Sequence, residues 1–363
     1  MNIILAILLA GAVSFIMTPM VKRFAESIGA VDEPGDRRVN TETIPRMGGL
    51  AIFCGFTLAM LIFADLTKQV EGILLGSLVI VIMGALDDIY NLKPWIKLLA
   101  QICAATICVL FGVVVNGVSG MGSADTVYIG NIAAYFITIA WIVVSTNAIN
   151  LIDGLDGLAC GMSAISALTL LIISLLVSEM NVTVMLGCLL GACIGFLPYN
   201  WNPAKIFMGD VGSQLLGFLL STISLVGLFK MHAFVTMLVP LLALAVPLAD
   251  TCFAFFRRII RGQSPFHADK GHFHHRLLAL GFTQRQVVVM LYGVSVFMGI
   301  IAIMMTGEDR KIRIFGLLAA FFIALALVLY VTKLNPAVRR EHRPKPGVEG
   351  DEDVKIYEKG DSR

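Results

Sequence analysis

The chain has 363 residues, of which 58% are apolar and 14% charged, with a net charge of +2; a soluble domain carries about 25% charged residues. This balance excludes a soluble enzyme, a disordered protein and a secreted disulfide scaffold, and gives no reason to expect nucleic acid as a partner. An integral membrane protein remains.

A bilayer core about 30 Å thick takes about 20 apolar residues of helix. Apolar runs of that length lie between polar clusters at 2–20, 47–65, 71–89, 95–116, 131–149, 158–178, 182–199, 212–230, 233–256, 287–306 and 313–332. The first is read as a span rather than a cleaved leader, because no basic residue precedes it and Lys22 and Arg23 follow it. The predicted fold class is all-α: a polytopic integral membrane protein of about 11 transmembrane helices, N-terminus outside and C-terminus cytoplasmic. In that orientation the inner segments 21–46, 87–97, 150–157, 200–211 and 257–286, with the tail, hold 22 of the 27 Lys and Arg residues, as the positive-inside rule requires. Without the tail the ratio is still 14 to 5. Residues 1–334 form the expected transmembrane domain, and 335–363 a charged, disordered cytoplasmic tail. The seven cysteines all lie in apolar runs, with no Cys-x-x-Cys pair, and are read as small apolar residues rather than a metal site.

Ionisable side chains in or beside a span cost a few kcal/mol unless something uses them. Asp87, Asp88, Asp153, Asp156, Asp210 and Asp250 all fall at or near inner span ends. An ion pathway would place carboxylates at several depths. Clustering on one side favours a reaction or binding site open to the cytoplasm.

The first block in chain order is GALDDIYNLKPWIK. Asp87 and Asp88 repel each other, and a divalent cation relieves this; Mg²⁺ takes hard oxygen ligands and bridges substrate phosphates. The plain alternative is a polar helix end facing water, although the C-terminal end of a helix is a poor place for two negative charges. In the second block, NAINLIDGLDGLA, Asn147, Asn150, Asp153 and Asp156 recur at every third position, so neighbours in the series would face one another on a helix. Such side chains suit a metal, a sugar or a base, or cap a Gly-rich turn. In the third, NWNPAKIFMGDVGSQ, free N–H groups of a helix start could meet a phosphate beside a metal-bound Asp210, with Ser213 as a plain N-cap. The fourth, RRIIRGQSPFHADKGHFHHRLL, sets His267, His272, His274 and His275 among Arg257, Arg258, Arg261, Lys270 and Arg276. It suits an anionic ligand such as a diphosphate. A zinc site is the rival reading, weakened by the crowd of cations and the lack of a nearby cysteine.

Together, the DD pair, NxxNxxDGxDGL, MGDxGS and HxHH, in this order and each on an inner segment, resemble the polyprenyl-phosphate N-acetylhexosamine-1-phosphate transferase family, of glycosyltransferase 4 type. The likeness runs from Lys22 to Gly281. Within the family it looks more like the branch using UDP-N-acetylglucosamine, and most like Gram-positive members that start teichoic-acid linkage units. The resemblance implies Mg²⁺-dependent transfer of GlcNAc-1-phosphate from UDP-GlcNAc to undecaprenyl phosphate at the cytoplasmic face of a bacterial membrane. The products would be undecaprenyl-diphosphate-GlcNAc and UMP.

It also implies residue roles. Asp87 and Asp88 are catalytic, and Asp210, Asp88 and Asn150 hold the metal. Asn150, Asp153, Asp156, His272, His274 and His275 bind the nucleotide sugar; Lys97 and Arg46 bind the lipid phosphate. Mn²⁺ is the alternative ion, and UDP-MurNAc-pentapeptide or another UDP-HexNAc the alternative donor. A cation-coupled transporter is the alternative outside the enzymes. Direct attack by the lipid phosphate and a covalent Asp intermediate both stay open, as do monomer and homodimer.

Overall fold

The structure, a computed structural model, describes residues 2–32, 43–115, 117–119, 126–128, 130–227, 240–260, 273–307, 309, 311–312, 314–320 and 322. Met1–Phe321 form one compact unit; of the second, Phe322–Arg363, only Phe322 is described. The helices in chain order are α1 Asn2–Ser27, α2 Gly49–Phe63, α3 Lys68–Tyr90, α4 Pro94–Leu110, α5 Asn131–Ile152 and α6 Leu158–Leu176. They continue with α7 Met180–Asn200, α8 Gly209–Gly227, α9 Ala245–Ile260, α10 Phe273–Ala279 and α11 Gln284–Met305.

Among the described residues, α1, α3, α5, α6, α7, α8 and α11 are long and apolar enough to cross a membrane, seven in all. The apolar helices α2 and α4 are shorter, at 15 and 17 residues. The chain is thus a mostly helical, multi-pass bundle. Each expected run from 2–20 to 212–230, and 287–306, falls on a helix; 233–256 reaches α9 only in its second half, and most of 313–332 lies outside the described residues.

The all-α expectation needs one correction. β1 Val31–Asp32 pairs antiparallel with β2 Ile44–Pro45, and β3 Gly117–Ser119 with β4 Thr126–Tyr128. Both ladders lie in connections between helices, where strand pairing satisfies backbone groups that no helix takes up.

Glycines let α1 and α7 approach closely. A Cβ at Gly195 of α7 would lie 2.1 Å from the Gly11 carbonyl oxygen of α1, and one at Gly191 2.2 Å from that of Ile7. Small residues let backbones approach where lipid gives no hydrophobic drive between helices. The middle helices α6, α7 and α8 are largely buried, whereas α1 is largely exposed and presents Phe15, Ile16 and Met20 outward.

Two ends of the bundle are defined by bonds. At one, Asn181 Nδ2 donates to the Asp65 carbonyl (3.1 Å) and the Asp65 N–H to Asn181 Oδ1 (2.9 Å), joining the α2–α3 turn to the start of α7. At the other meet the C-terminal ends of α3 and α5 and the N-terminal ends of α4 and α8. Here α3 stops at Asn91, whose φ of 49° is left-handed and whose N–H returns to the Asp87 carbonyl. Pro94 then opens α4. The loop expected at 87–97 is therefore mostly helix, with Asp87 and Asp88 in the last turn of α3 and Lys97 in the first of α4. The expected loops 21–46, 150–157 and 200–211 shorten in the same way, because α1 continues to Ser27, α5 to Ile152 and α8 starts at Gly209.

Candidate active site

The α3 end supplies two carboxylates, each 2% exposed. Asp88 accepts the N–H of Asp210 at Oδ1 (3.0 Å) and that of Val211 at Oδ2 (3.3 Å). It thereby caps α8 and sits at the positive end of that helix's dipole. This answers the objection to two negative charges at a helix C-terminus. It also corrects the expectation for Asp210's helix start: the N–H groups of Asp210 and Val211 are taken by Asp88, not free for a phosphate. Ser213 is not the cap, since its hydroxyl donates to the Gly209 carbonyl (3.0 Å). Gly209 is required here, with φ +72° and a would-be Cβ 2.3 Å from Asp88 Oδ2.

Asp87 accepts the Leu92 N–H at Oδ1 (2.7 Å) and is ion-paired through Oδ2 with Lys97. The same Lys97 ammonium lies 3.4 Å from Asp210 Oδ2. Both carboxylates contact the one ammonium, so Lys97 is the cation that holds them together. It was expected to bind a lipid phosphate; the structure gives it two carboxylate partners. Side-chain exposure is 25% for Lys97 and 22% for Asp210, so this pair, unlike Asp88, faces an approaching ligand.

The expected Asn/Asp series divides at the end of α5. Asn147 and Asn150 lie on α5, Asp153 caps it, and Asp156 lies beyond, so the four do not share one helix face. Asn150 Nδ2 donates to Asp210 Oδ1 (2.7 Å). Asp153 is half-buried, and among the described residues no hydrogen bond or ion pair reaches its carboxylate. Burial, then the charges of Asp210, Asp88 and Asp156, push it up to about 8. A divalent cation nearby would reverse that shift. Asp156 turns away: its Oδ2 accepts Asn202 Nδ2 (2.9 Å) and the Ala204 N–H (3.0 Å), bracing the loop that leads to Asp210.

Arg46 follows β2 and lies 3.7 Å from Asp32 Oδ1, while its N–H bonds the Ala30 carbonyl (2.9 Å). It remains within electrostatic reach of Asp88. Asp250 is buried on α9. His272 lies outside the described residues; His274 and His275 fall on α10, with side chains outside the description.

Several polar residues of this region were not legible as a site in the sequence. Gln101 and Gln214 stand in apolar runs, 1% and 0% exposed, and Asn200 is 3% exposed. Their signal was an amide within a span. Asn200 Oδ1 accepts the Gly157 N–H (3.2 Å) and its Nδ2 donates to the Ile206 carbonyl (3.1 Å).

A metal must fit what is present. Among the described residues no three His, Cys, Asp or Glu side chains form a cage for one. Asp210 and Asp87 with Asn150 Oδ1, which accepts no hydrogen bond among the described residues, make an all-oxygen, incomplete set. That suits Mg²⁺, which uses one or two carboxylates and completes its shell with waters and substrate phosphates. It does not suit a closed zinc site.

The family model of glycosyl transferase family 4 matches residues 70–228, the stretch from α3 to α8. The chain is 37% identical over 344 residues to the probable undecaprenyl-phosphate N-acetylglucosaminyl 1-phosphate transferase of Bacillus subtilis (strain 168), covering 94% of this chain and 95% of that one. It is 33% identical over 368 residues to the decaprenyl-phosphate N-acetylglucosaminephosphotransferase of Mycobacterium tuberculosis (strain ATCC 25618 / H37Rv), covering 92% and 88%. It is 28% identical over 275 residues to the undecaprenyl-phosphate alpha-N-acetylglucosaminyl 1-phosphate transferase of Escherichia coli (strain K12), covering 74% and 75%.

Proposed function

The chain belongs to glycosyl transferase family 4, and from that membership we infer that it transfers GlcNAc-1-phosphate from UDP-GlcNAc to undecaprenyl phosphate, giving undecaprenyl-diphosphate-GlcNAc and UMP. The acceptor and the transferred GlcNAc-1-phosphate are those in the names of its relatives; the UDP donor is the one that the sequence resemblance implies. The observation that carries the chemistry is the contact of Asp87, Lys97 and Asp210 at one end of an apolar bundle. The transporter alternative falls with the family. The product would start a cell-wall glycopolymer such as teichoic acid.

Phosphoryl transfer needs charge neutralisation and in-line placement far more than covalent help. A lipid phosphate oxygen attacks the phosphorus bearing the sugar, and the bond to the UMP oxygen breaks. Phosphate monoesters have a second pKa near 6, so the acceptor is largely dianionic at pH 7 and needs no base. Asp87, paired with Lys97 and bonded by Leu92, then serves to hold the ammonium where charge develops. Asp88, with both oxygens on α8, fixes Asp210 against Asp87. Asp88, with both oxygens bonded to α8, is not a ready nucleophile, which favours direct attack over a covalent intermediate at that residue. Asp210, Asp87 and Asn150 would hold Mg²⁺, which when bound neutralises charge on the diphosphate.

Asp153, beside this group and with no hydrogen-bond or ion-pair partner among the described residues, is assigned to the nucleotide sugar, together with His272, His274 and His275. Asp156 is assigned to bracing. The site is assigned to the cytoplasmic face, an orientation supported by 22 of 27 basic residues on that side.

The test supplies UDP-GlcNAc, UDP-MurNAc-pentapeptide and other UDP-HexNAc donors separately to detergent-solubilised protein with undecaprenyl phosphate and Mg²⁺. Lipid-linked sugar and UMP are expected from UDP-GlcNAc. Formation from UDP-MurNAc-pentapeptide alone would reassign the donor, and no product from any donor would sink the reading.

A further inference from the structure

Beneath the carboxylates a row of amides crosses the bundle. Asn147 Nδ2 of α5 donates to Gln101 Oε1 of α4 (2.6 Å), Gln101 Nε2 to Gln214 Oε1 of α8 (2.9 Å), and Gln214 Nε2 to Asp210 Oδ1 (3.3 Å). Gln101 and Gln214 are fully buried, so each amide left unpaired would cost a desolvation penalty.

From Gln101 to Asp210 the row has one sense, while Gln101 and Asn147 form a reciprocal pair, Gln101 Nε2 also donating to Asn147 Oδ1 at 3.4 Å. An ionised Asp210 accepts and cannot donate, so Gln214 must turn its NH₂ toward it and its oxygen toward Gln101. Gln101 must then give its NH₂ to Gln214 and take the Asn147 amide on its oxygen. Asn147 is held in turn, since its Nδ2 also donates to the Val143 carbonyl (2.8 Å). At the top of the row, Asp210 Oδ1 receives both Gln214 and Asn150 (2.7 Å), while Oδ2 is the oxygen turned to Lys97.

We propose that Asn147, Gln101 and Gln214 are positioning residues that lock the Asp210 carboxylate so that Oδ2 is presented to a divalent cation. This rests on the metal-dependent reading above. Amides whose only task is to join α4, α5 and α8 would lower stability when replaced and leave the cation affinity of the folded protein unchanged. A relay makes affinity depend on Gln101, which touches no carboxylate.

The experiment is Mn²⁺ titration of the purified full chain in detergent, without substrates, read by the EPR signal of free Mn²⁺ and accompanied by melting temperatures. Gln214→Met, near in size, is expected to weaken binding by about tenfold, the effect of losing a group that orients a ligand. Gln101→Met is expected to weaken it several-fold. The double variant should be no weaker than Gln214→Met, because the relay is already broken at its last link. Unchanged affinity in a folded Gln101→Met, or a double variant whose loss is the product of the single losses, would overturn the proposal. If a Met variant does not accumulate as folded protein, Asn147→Ala at the far end decides: weakened binding supports the relay, and wild-type binding overturns it. A wild-type chain that binds no Mn²⁺ would overturn the metal reading and the proposal with it, which separates that failure from the others.

Discussion

Asp88 and Asp210, 122 residues apart in sequence, are joined because the Asp88 carboxylate accepts the Asp210 N–H at 3.0 Å. With the second bond, from Val211, one acidic residue in the last turn of α3 caps the start of α8. Asp88→Asn keeps one acceptor oxygen but loses the charge at the helix start. It is expected to cost about 1 kcal/mol of stability and to lower turnover at least 100-fold, because Asp210 shifts with its helix. Asp210→Asn should abolish turnover with little change in melting temperature. Assaying both at saturating Mg²⁺ beside their melting curves checks the contrast; equal stability in the two would remove the capping role.

Lys97 is the counter-ion of Asp87 and Asp210. Lys97→Met leaves those carboxylates facing each other across a half-buried gap. The variant should melt lower than wild type without divalent cations, and Mg²⁺ should recover much of the difference by taking the place of the ammonium. Turnover should still fall 100-fold or more, since a cation that neutralises transferring phosphate is lost. A Lys97→Met protein whose melting temperature ignores Mg²⁺ would show that the two carboxylates do not share a cation.

The helices were legible because lipid demands long apolar runs, and α1 through α8 each fall on one. Asp87, Asp88 and Asp210 were legible because charge at a span end is costly. Their partners were not. Nothing local to GALDDIY says that Asp88 faces α8, since that contact depends on helix packing through Gly84 and Gly209. Gln101 and Gln214 were read as part of apolar spans because a single amide hardly changes a run's hydropathy. Asp156 was grouped with Asp153 by a three-residue period that stops applying once α5 ends at Ile152.

The loop before Asp210 is held from the far side by α11. Arg285 donates through Nε (3.1 Å) and Nη2 (2.8 Å) to the Asn202 carbonyl, Gln284 accepts the Asn202 amide (2.9 Å), and the Tyr292 hydroxyl donates to the Gly157 carbonyl. Tyr292→Phe keeps the ring against Trp201 and loses only the bond at the exit of the Asp153 turn. A bond worth about 1 kcal/mol predicts roughly a fivefold rise in KM for the nucleotide sugar, with KM for the lipid phosphate unchanged. Varying each substrate at saturation of the other separates the two constants; equal rises in both would mean that Tyr292 acts on the fold as a whole.

Asp153 gives the pH dependence. Its carboxyl is pushed up to about 8 from an ordinary 3.8, so over that interval the folded chain holds a proton that the unfolded chain has released. The folded state binds more protons, and the contribution of this group to stability therefore declines as the pH rises from about 4 to 8. Asp153→Asn imitates the protonated form at every pH. In the absence of divalent cations the variant should come nearest to wild type at the acid end, near pH 4, and melt progressively higher than it up to about pH 8. Mg²⁺ should narrow the gap by stabilising the ionised wild-type carboxylate, with less effect on the variant. Melting curves at several pH values, with and without Mg²⁺, test both signs at once. Parallel curves for the two proteins from pH 5 to 9 would show that Asp153 is already ionised in the folded chain, and would leave its assignment to the nucleotide sugar without this support.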